Sequence, residues 1–347
     1  MIVADYISFI GKNDEPLGHG KKVLDESIEL LKEKVDITVA ACGAYLQNQI
    51  ESSIIVLRAI IPAFNNRKAA YRQYVQEMLN LIKIFKYSKR DCIWFTNVDW
   101  VLFAYLAIFN PDNTVFVTLY RDLGMDLKLS KSKLSKEKYK LFISGMKHVK
   151  TFVVTNPSLQ ISKKQINVPD YFCTDFYKPY QDMEKLPQIA CVGIIRDSKD
   201  VKGLVDHFKH SRIHIIIAGE FVDYEIYEYV TNNASENITI VNKRLNENEY
   251  YELLGKSKYV IMPYKPEMCL DATSGILLET IFCKSIPIAP EILLKNNQIN
   301  GISYKRLTDL PTEIGKYNEL AETVKNTLER FNKALIQEKL IKAFELK

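Results

Sequence analysis

No stretch of this chain reaches the roughly eighteen uncharged apolar residues that a membrane-spanning helix needs, so no transmembrane segment is expected. The opening MIVADYISFIGKNDE has neither a charged leading region nor a long apolar core, and a secretory leader is not expected. Cysteine is sparse. Its six copies (Cys42, Cys92, Cys173, Cys191, Cys269 and Cys283) stand far apart, without a C-x-x-C pair. Scattered single thiols argue against a disulfide framework or a zinc site and for a reducing cytoplasm. Asp-x-Asp, a spacing that clamps metal-bound diphosphates, does not occur, so neither a metal nor a bound cofactor is expected. The first predicted strand is not followed by Gly-x-Gly-x-x-Gly, which weakens a nicotinamide reading. There is no solenoid repeat and no low-complexity tract. The net charge of +5 is mild and does not call for a nucleic-acid partner.

What is there is alternation. The 347 residues suffice for two cores, and 47% hydrophobic with 26% charged content is ordinary for a globular protein. Strand-like runs at residues 2–10, 35–41, 92–96, 114–119 and 151–155 alternate with helix-like runs at 21–34, 67–87, 99–109 and 135–146. A stretch rich in proline and tyrosine, 165–187, breaks the rhythm and reads as a linker, its core at 171–187. Alternation then resumes, with strands at 188–195, 213–218, 238–241 and 259–264 and helices at 201–210, 224–232 and 247–255. This spacing predicts parallel sheets with crossover helices. The expected fold class is α/β, with two Rossmann-like domains, 1–170 and 188–325, facing across a cleft.

The most informative segment is DATSGILLETIFCKSIPIAP, residues 271–290. An apolar strand precedes it. A small-residue loop, Thr273-Ser274-Gly275, leads into an apolar helix, and a second strand follows. That order places bare backbone N–H groups at a helix N-terminus, a ready site for a pyrophosphate. Asp271 and Glu279 flank the loop. Glu279, one turn in, is placed to accept hydrogen bonds from two adjacent ribose hydroxyls, though a carboxylate in a first helical turn also arises from the helix dipole alone. Asp271 reads as a sugar contact or as a simple N-cap.

The segment resembles the donor-binding loop of the GT-B glycosyltransferases, above all the retaining family 4 type, also called glycosyl transferases group 1. The family shows Glu, seven residues, Glu; here Asp271 stands for the first and Glu279 for the second, with Glu267 as the alternative sugar contact to Asp271. Val192-Gly193-Ile194-Ile195-Arg196, then Lys199 and Lys202-Gly203, resembles the family's first C-domain loop. The resemblance implies that Arg196 and Lys202 hold the donor diphosphate and stabilise its developing charge. It implies backbone contacts from Gly193 and Gly219, base contacts near Lys243, Arg244 and Leu245, and phosphate contacts from Thr273, Ser274 and Gly275. In the first half, Gly18 would approach the donor, with His19, Arg121 and Asp122 on the acceptor side. The family histidines before Asp99 and Asp122 are absent. Asp99 and Asp122 are candidate bases for inverting chemistry; otherwise Asp99 is an N-cap and Asp122 a turn residue.

The resemblance thus implies a hexosyltransferase acting from a nucleoside diphosphate sugar onto a glycan or lipid-linked acceptor, retaining and metal-independent. It also implies a C-terminal helix, 326–347, returning to the first domain. Surface polysaccharide or lipopolysaccharide assembly follows by analogy alone. The rivals are a non-catalytic nucleotide-sugar-binding subunit and a nucleotide-sugar epimerase. Residues 126–150 hold eight lysines against Asp126 and Glu137. That run is either a solvated face or a contact with an anionic membrane surface, which would make the cytoplasmic protein peripheral.

Overall fold

The computed structural model describes residues 1–11, 14–17, 20–47, 53–62, 67–89, 91–129, 132–169, 175–265, 269, 273–312 and 319–346. The chain divides into two compact units, one of residues 1–155, 159–170 and 336–347, the other of 156–158 and 171–335.

The first unit is built on a seven-stranded sheet, ordered β3-β2-β1-β4-β5-β6-β7 with every pairing parallel. Its strands are β1 (Ile2–Asp5), β2 (Thr38–Cys42), β3 (Ser53–Leu57), β4 (Ile93–Asn97), β5 (Val115–Leu119), β6 (Val149–Val154) and β7 (Gln165–Asn167). Its helices begin with α1 (Gly20–Leu31), α2 (Gly43–Leu46), α3 (Arg67–Ser88), α4 (Trp100–Phe109), α5 (Leu123–Leu129) and α6 (Lys133–Met146). Central strands such as β5 are buried throughout, as parallel strands covered on both faces must be. Alternate residues, among them Ala4, Ile55, Phe95, Val117 and Phe152, share one core with Leu81 and Ile84 of α3, Leu102 and Leu106 of α4, and Phe142 of α6. Edge strand β3 buries Ile55 and Leu57 and exposes Ile54 and Val56, the period-two pattern of a strand covered on one face.

The second unit is a six-stranded parallel sheet, ordered β10-β9-β8-β11-β12-β13. Its strands are β8 (Leu186–Val192), β9 (His214–Ala218), β10 (Ile238–Val241), β11 (Ser257–Ile261), β12 (Ile286–Pro290) and β13 (Ile302–Tyr304). Around it lie α7 (Lys178–Gln181), α8 (Val201–Phe208), α9 (Tyr224–Asn233), α10 (Glu247–Lys256), α11 (Gly275–Phe282), α12 (Glu291–Asn297) and α13 (Glu319–Leu328). The order reverses between β8 and β11. Loops leaving the carboxyl ends of those two strands diverge there, and such a switch point is where open α/β sheets take ligands.

Helix α14 (Lys333–Phe344) follows, and from Ile336 it belongs to the first unit. Phe344 stacks on Phe116 at 4.1 Å and meets Trp94 edge-on at 5.2 Å, covering the sheet face opposite α3, α4 and α6. Several elements correct the sequence reading. Strand β1 stops at Asp5, because the Asp5 carboxylate accepts from the Ile7 and Ser8 amides and turns the chain. The region read as linker contains β7 and the start of β8, and β3, α5, α12 and β13 were not anticipated.

Candidate functional site

The switch point of the second unit brings together Gly193, Arg196, Gly219, Thr273, Ser274 and Gly275. Strand β8 ends at Gly193, whose φ of +87° is one that glycine alone adopts without strain. A Cβ there would also sit 3.2 Å from Ile276 Cδ1, so the loop runs directly against the first turn of α11. Strand β9 ends at Gly219, where a Cβ would lie 2.0 Å from the Gly193 carbonyl oxygen. Backbone bonds tie the three strand ends together: Gly193 N donates to Ala218 O, Ile195 N to Glu220 O, and Gly219 N to Val241 O, at 2.9–3.1 Å.

Helix α11 opens at Ser274, which is buried and makes no side-chain cap. The first helical acceptor, Ser274 O, takes the amides of Leu277 and Leu278 at 3.0 and 3.3 Å. The amides of Gly275 and Ile276 precede that bond and point out of the helix end. The Ser274 hydroxyl lies 3.4 Å from Tyr264 OH, and Thr273 is half-buried beside it. Burial, the largest influence, pushes the Tyr264 phenol up to about 12, so it stays protonated.

The cation at this helix end is Lys199. It is buried, its Nζ donates to Val192 O at 2.7 Å, and it lies 3.5 Å from where a Gly193 Cβ would stand. It sits 5.9 Å from the Tyr264 ring centroid, and no carboxylate pairs with it among the described residues. Burial pulls its ammonium below the usual lysine range. Arg196 is exposed, its Nε donates to Ser198 Oγ at 3.1 Å, and its charge is felt by both Lys199 and Tyr264. Lys202, expected to share the diphosphate with Arg196, stands instead over the Tyr229 ring of α9 at 5.1 Å. Lys199 thus lies beside the Gly193 turn, and Lys202 beside Tyr229. The β8 to α8 loop pairs Lys199 with Tyr264 as an isolated bridge, and that turns Lys199 inward.

Glu279 is buried one turn into α11. Its Oε2 accepts from Tyr250 OH at 2.6 Å and its Oε1 from Tyr251 OH at 2.9 Å, both phenols carried by α10. Burial first, then the Glu279 charge, raises both phenols well above the ordinary tyrosine range. This clamp of two phenol donors orients the carboxylate. Nothing local in the sequence pointed to Tyr250 and Tyr251, which lie 29 and 28 residues from their partner. Lys243 is exposed and pairs with Glu249 at 2.6 Å, Arg244 is exposed, and Leu245 is half-buried at the start of the α10 cap.

In the first unit, Asp99 caps α4, accepting from Val101 N at 2.8 Å and from Tyr6 OH at 2.8 Å. Glu77, a fully buried carboxyl, lies beside it. Burial first, then the Asp99 charge, pushes Glu77 up to about 9. Asp122 accepts from Gly124 N and Met125 N at 2.9 and 3.1 Å and so starts α5; Arg121 beside it is exposed. Both aspartates therefore serve as caps. Gly18, His19, Glu267 and Asp271 lie outside the described residues.

No protein-family model and no curated protein matches this sequence. Solved structures do. HepE from Anabaena, in complex with UDP, is similar with a TM-score of 0.69 at 12% identity over 99% of both chains. Trehalose-6-phosphate synthase OtsA is similar at 0.67 and 8%, covering 100% of this chain and 99% of that one. AviGT4, a glycosyltransferase involved in avilamycin A biosynthesis, is similar at 0.62 and 10%, over 99% and 96%. The likeness is one of fold, and it spans the whole chain. The protein has the GT-B fold, two parallel α/β units joined in one polypeptide.

Proposed function

We propose that this chain is a glycosyltransferase that moves a sugar from a nucleoside diphosphate sugar to a glycan or lipid-linked acceptor. The observation that carries the reading is the uncapped N-terminus of α11 with a buried lysine, Lys199, beside it, which no carboxylate pairs with among the described residues. In the reaction the bond between the anomeric carbon and the phosphate oxygen breaks, and the leaving diphosphate gains negative charge. The Gly275 and Ile276 amides, Lys199 and Arg196 would meet that charge as it develops, which lowers the barrier more than it favours the bound donor. Glu279, oriented by Tyr250 and Tyr251, would accept from the ribose hydroxyls. Cations and a helix end do the work that a metal does elsewhere, so the activity is metal-independent in this reading. Retention follows if the acceptor hydroxyl attacks on the face the diphosphate leaves and gives its proton to that phosphate. No protein nucleophile is then needed, which suits a first unit whose Asp99 and Asp122 are engaged as caps.

The printed ligands of similar structures, UDP with HepE and UDP-2-fluoro glucose with an E. coli trehalose-6-phosphate protein, favour a uridine donor as the first choice. A lipid-linked acceptor in surface polysaccharide or lipopolysaccharide assembly would place the enzyme on the cytoplasmic side of a membrane, met through residues 126–150. Among the described residues no helix is long and apolar enough to cross a membrane. The test is thermal denaturation with a panel of uridine and guanosine diphosphates and their sugars, followed by donor turnover with and without EDTA. A ligand at about 100 times its dissociation constant raises native stability by about 2.7 kcal/mol. A flat melting temperature across the panel overturns the reading, and turnover abolished by EDTA overturns its metal-independent form.

A further inference from the structure

Strands β12 and β13 end side by side, with Pro290 and Tyr304 as Cα partners. Beyond that pair the chains diverge, into α12 after one strand and the 3-10 turn Leu307–Asp309 after the other. A cavity of about 300 Å³ lies at the fork, lined by Pro290, Glu291, Ile292, Lys295, Tyr304 and Lys305. That volume is at the small end for ligand sites and suits a single sugar-sized ring. Tyr304 is a fixed wall: it is buried, and its hydroxyl donates to Met262 O at 2.8 Å. With the hydroxyl engaged, what it offers the cavity is ring surface, joined by buried Pro290 and half-buried Ile292. The remaining lining is charged. Lys295 is exposed and forms no ion pair among the described residues, and Lys305 meets Glu291 only at 3.9 Å. The adjacent guanidinium, Arg306, is taken by Asp309 at 3.1 Å. The cavity thus presents two cations against one carboxylate.

We infer that this cavity is a carbohydrate subsite for a sugar acid, free or as one unit of an acidic glycan. The sugar ring would lie on Tyr304 and Pro290, its carboxylate would meet Lys295 and Lys305, and its hydroxyls would donate to Glu291. An excess of one positive charge matches a monoanion. A phosphate dianion is disfavoured, because Glu291 would repel it and no guanidinium fork is left to hold it. A neutral sugar would forgo both ammonium contacts. That the acid belongs to the glycan acceptor rests on the proposed function; binding itself needs no donor and is tested without one.

The experiment is isothermal titration of the full chain, free of nucleotide, with glucuronate, a glucuronate-containing oligosaccharide, glucose and inorganic phosphate. The sugar acid should bind, alone or within the oligosaccharide, and glucose about tenfold more weakly, the loss expected for one charge-assisted hydrogen bond. Binding of the oligosaccharide alone assigns the site to a glycan unit, and binding of glucuronate as well extends it to the free acid. Lys295→Glu with Lys305→Glu, both at exposed positions, should cost at least as much affinity as the loss of the acid group, and Ile292→Trp, which fills the cavity, should abolish binding. The lysine variant should keep the parent's melting temperature and its response to UDP. A lost sugar-acid site with that response intact strikes this inference alone, and a sugar-acid site without any UDP response strikes the donor reading alone. Failure of both acids to bind overturns the inference. So does glucose or phosphate binding as tightly as glucuronate, or a lysine variant that binds the acid like the parent.

Discussion

A buried ammonium without a carboxylate beside it costs native stability, because one backbone acceptor does not replace its lost hydration. Among the described residues, Lys199 is such a group. Lys199→Met should therefore leave the ligand-free melting temperature unchanged or higher while lowering donor turnover about a hundredfold. A lower melting temperature together with normal turnover would make Lys199 a packing residue. Glu279 tests the other end of the site. Glu279→Ala should weaken nucleotide binding, whereas Asp99→Ala should spare it, as isothermal titration would show; equal affinity for the Glu279 variant and the parent removes the ribose assignment. Glu77 makes a prediction about pH. Its carboxyl titrates near about 9 in the folded chain against 4.5 for the free group, raised by burial and by Asp99. Gln73 Nε2 donates to it, and Tyr6 and Lys138 are the other titratable groups near the pair. The folded state thus holds this proton more tightly, so its contribution is complete below about pH 4.5 and drains away as pH climbs towards 9. The melting temperature should fall across that window, and Glu77→Gln should flatten the fall; an unchanged slope would falsify this account of Glu77.

At the scale of elements, the site exists because three strand ends touch. Gly219→Ala would drive a Cβ into the Gly193 carbonyl at 2.0 Å, and overpacking against backbone costs about 1–3 kcal/mol. Gly43→Ala, where nothing lies within 4 Å, is the matched control, and equal melting temperatures for the two variants would disprove the contact. The same elements show what sequence conveys. The long helix α3 and the β11–α11–β12 run were legible, because their apolar periodicity and the Thr273-Ser274-Gly275 loop are local signals. Strand β3 was not. Three of its five residues face solvent at a sheet edge, and its few positions follow an unpatterned stretch. The choice between Lys199 and Lys202 was equally hidden. Three residues apart, one on the loop and one in the first turn of α8, they are chemically identical, and only the bridge to Tyr264 distinguishes them. The clamp on Glu279 joins distant positions, which no local pattern encodes.

For the whole molecule, the decisive feature is α14. Phe344 is buried against Phe116 and Trp94. Phe344→Ala should destabilise the first unit by about 3–5 kcal/mol, seen as earlier loss of its hydrogen-exchange protection while the second unit keeps its own. Simultaneous loss of protection in both would show that they unfold as one. The same helix bears on biosynthesis. Thr151 Oγ1 donates to Ala343 O across 192 residues of chain. A ribosome releases the strands of the first sheet long before it makes the aromatic lid that dries their outer surface. The later-made sheet therefore has its full complement of strands while the earlier one is still open on one side, and the order in which the two units mature is the reverse of the order in which they are begun.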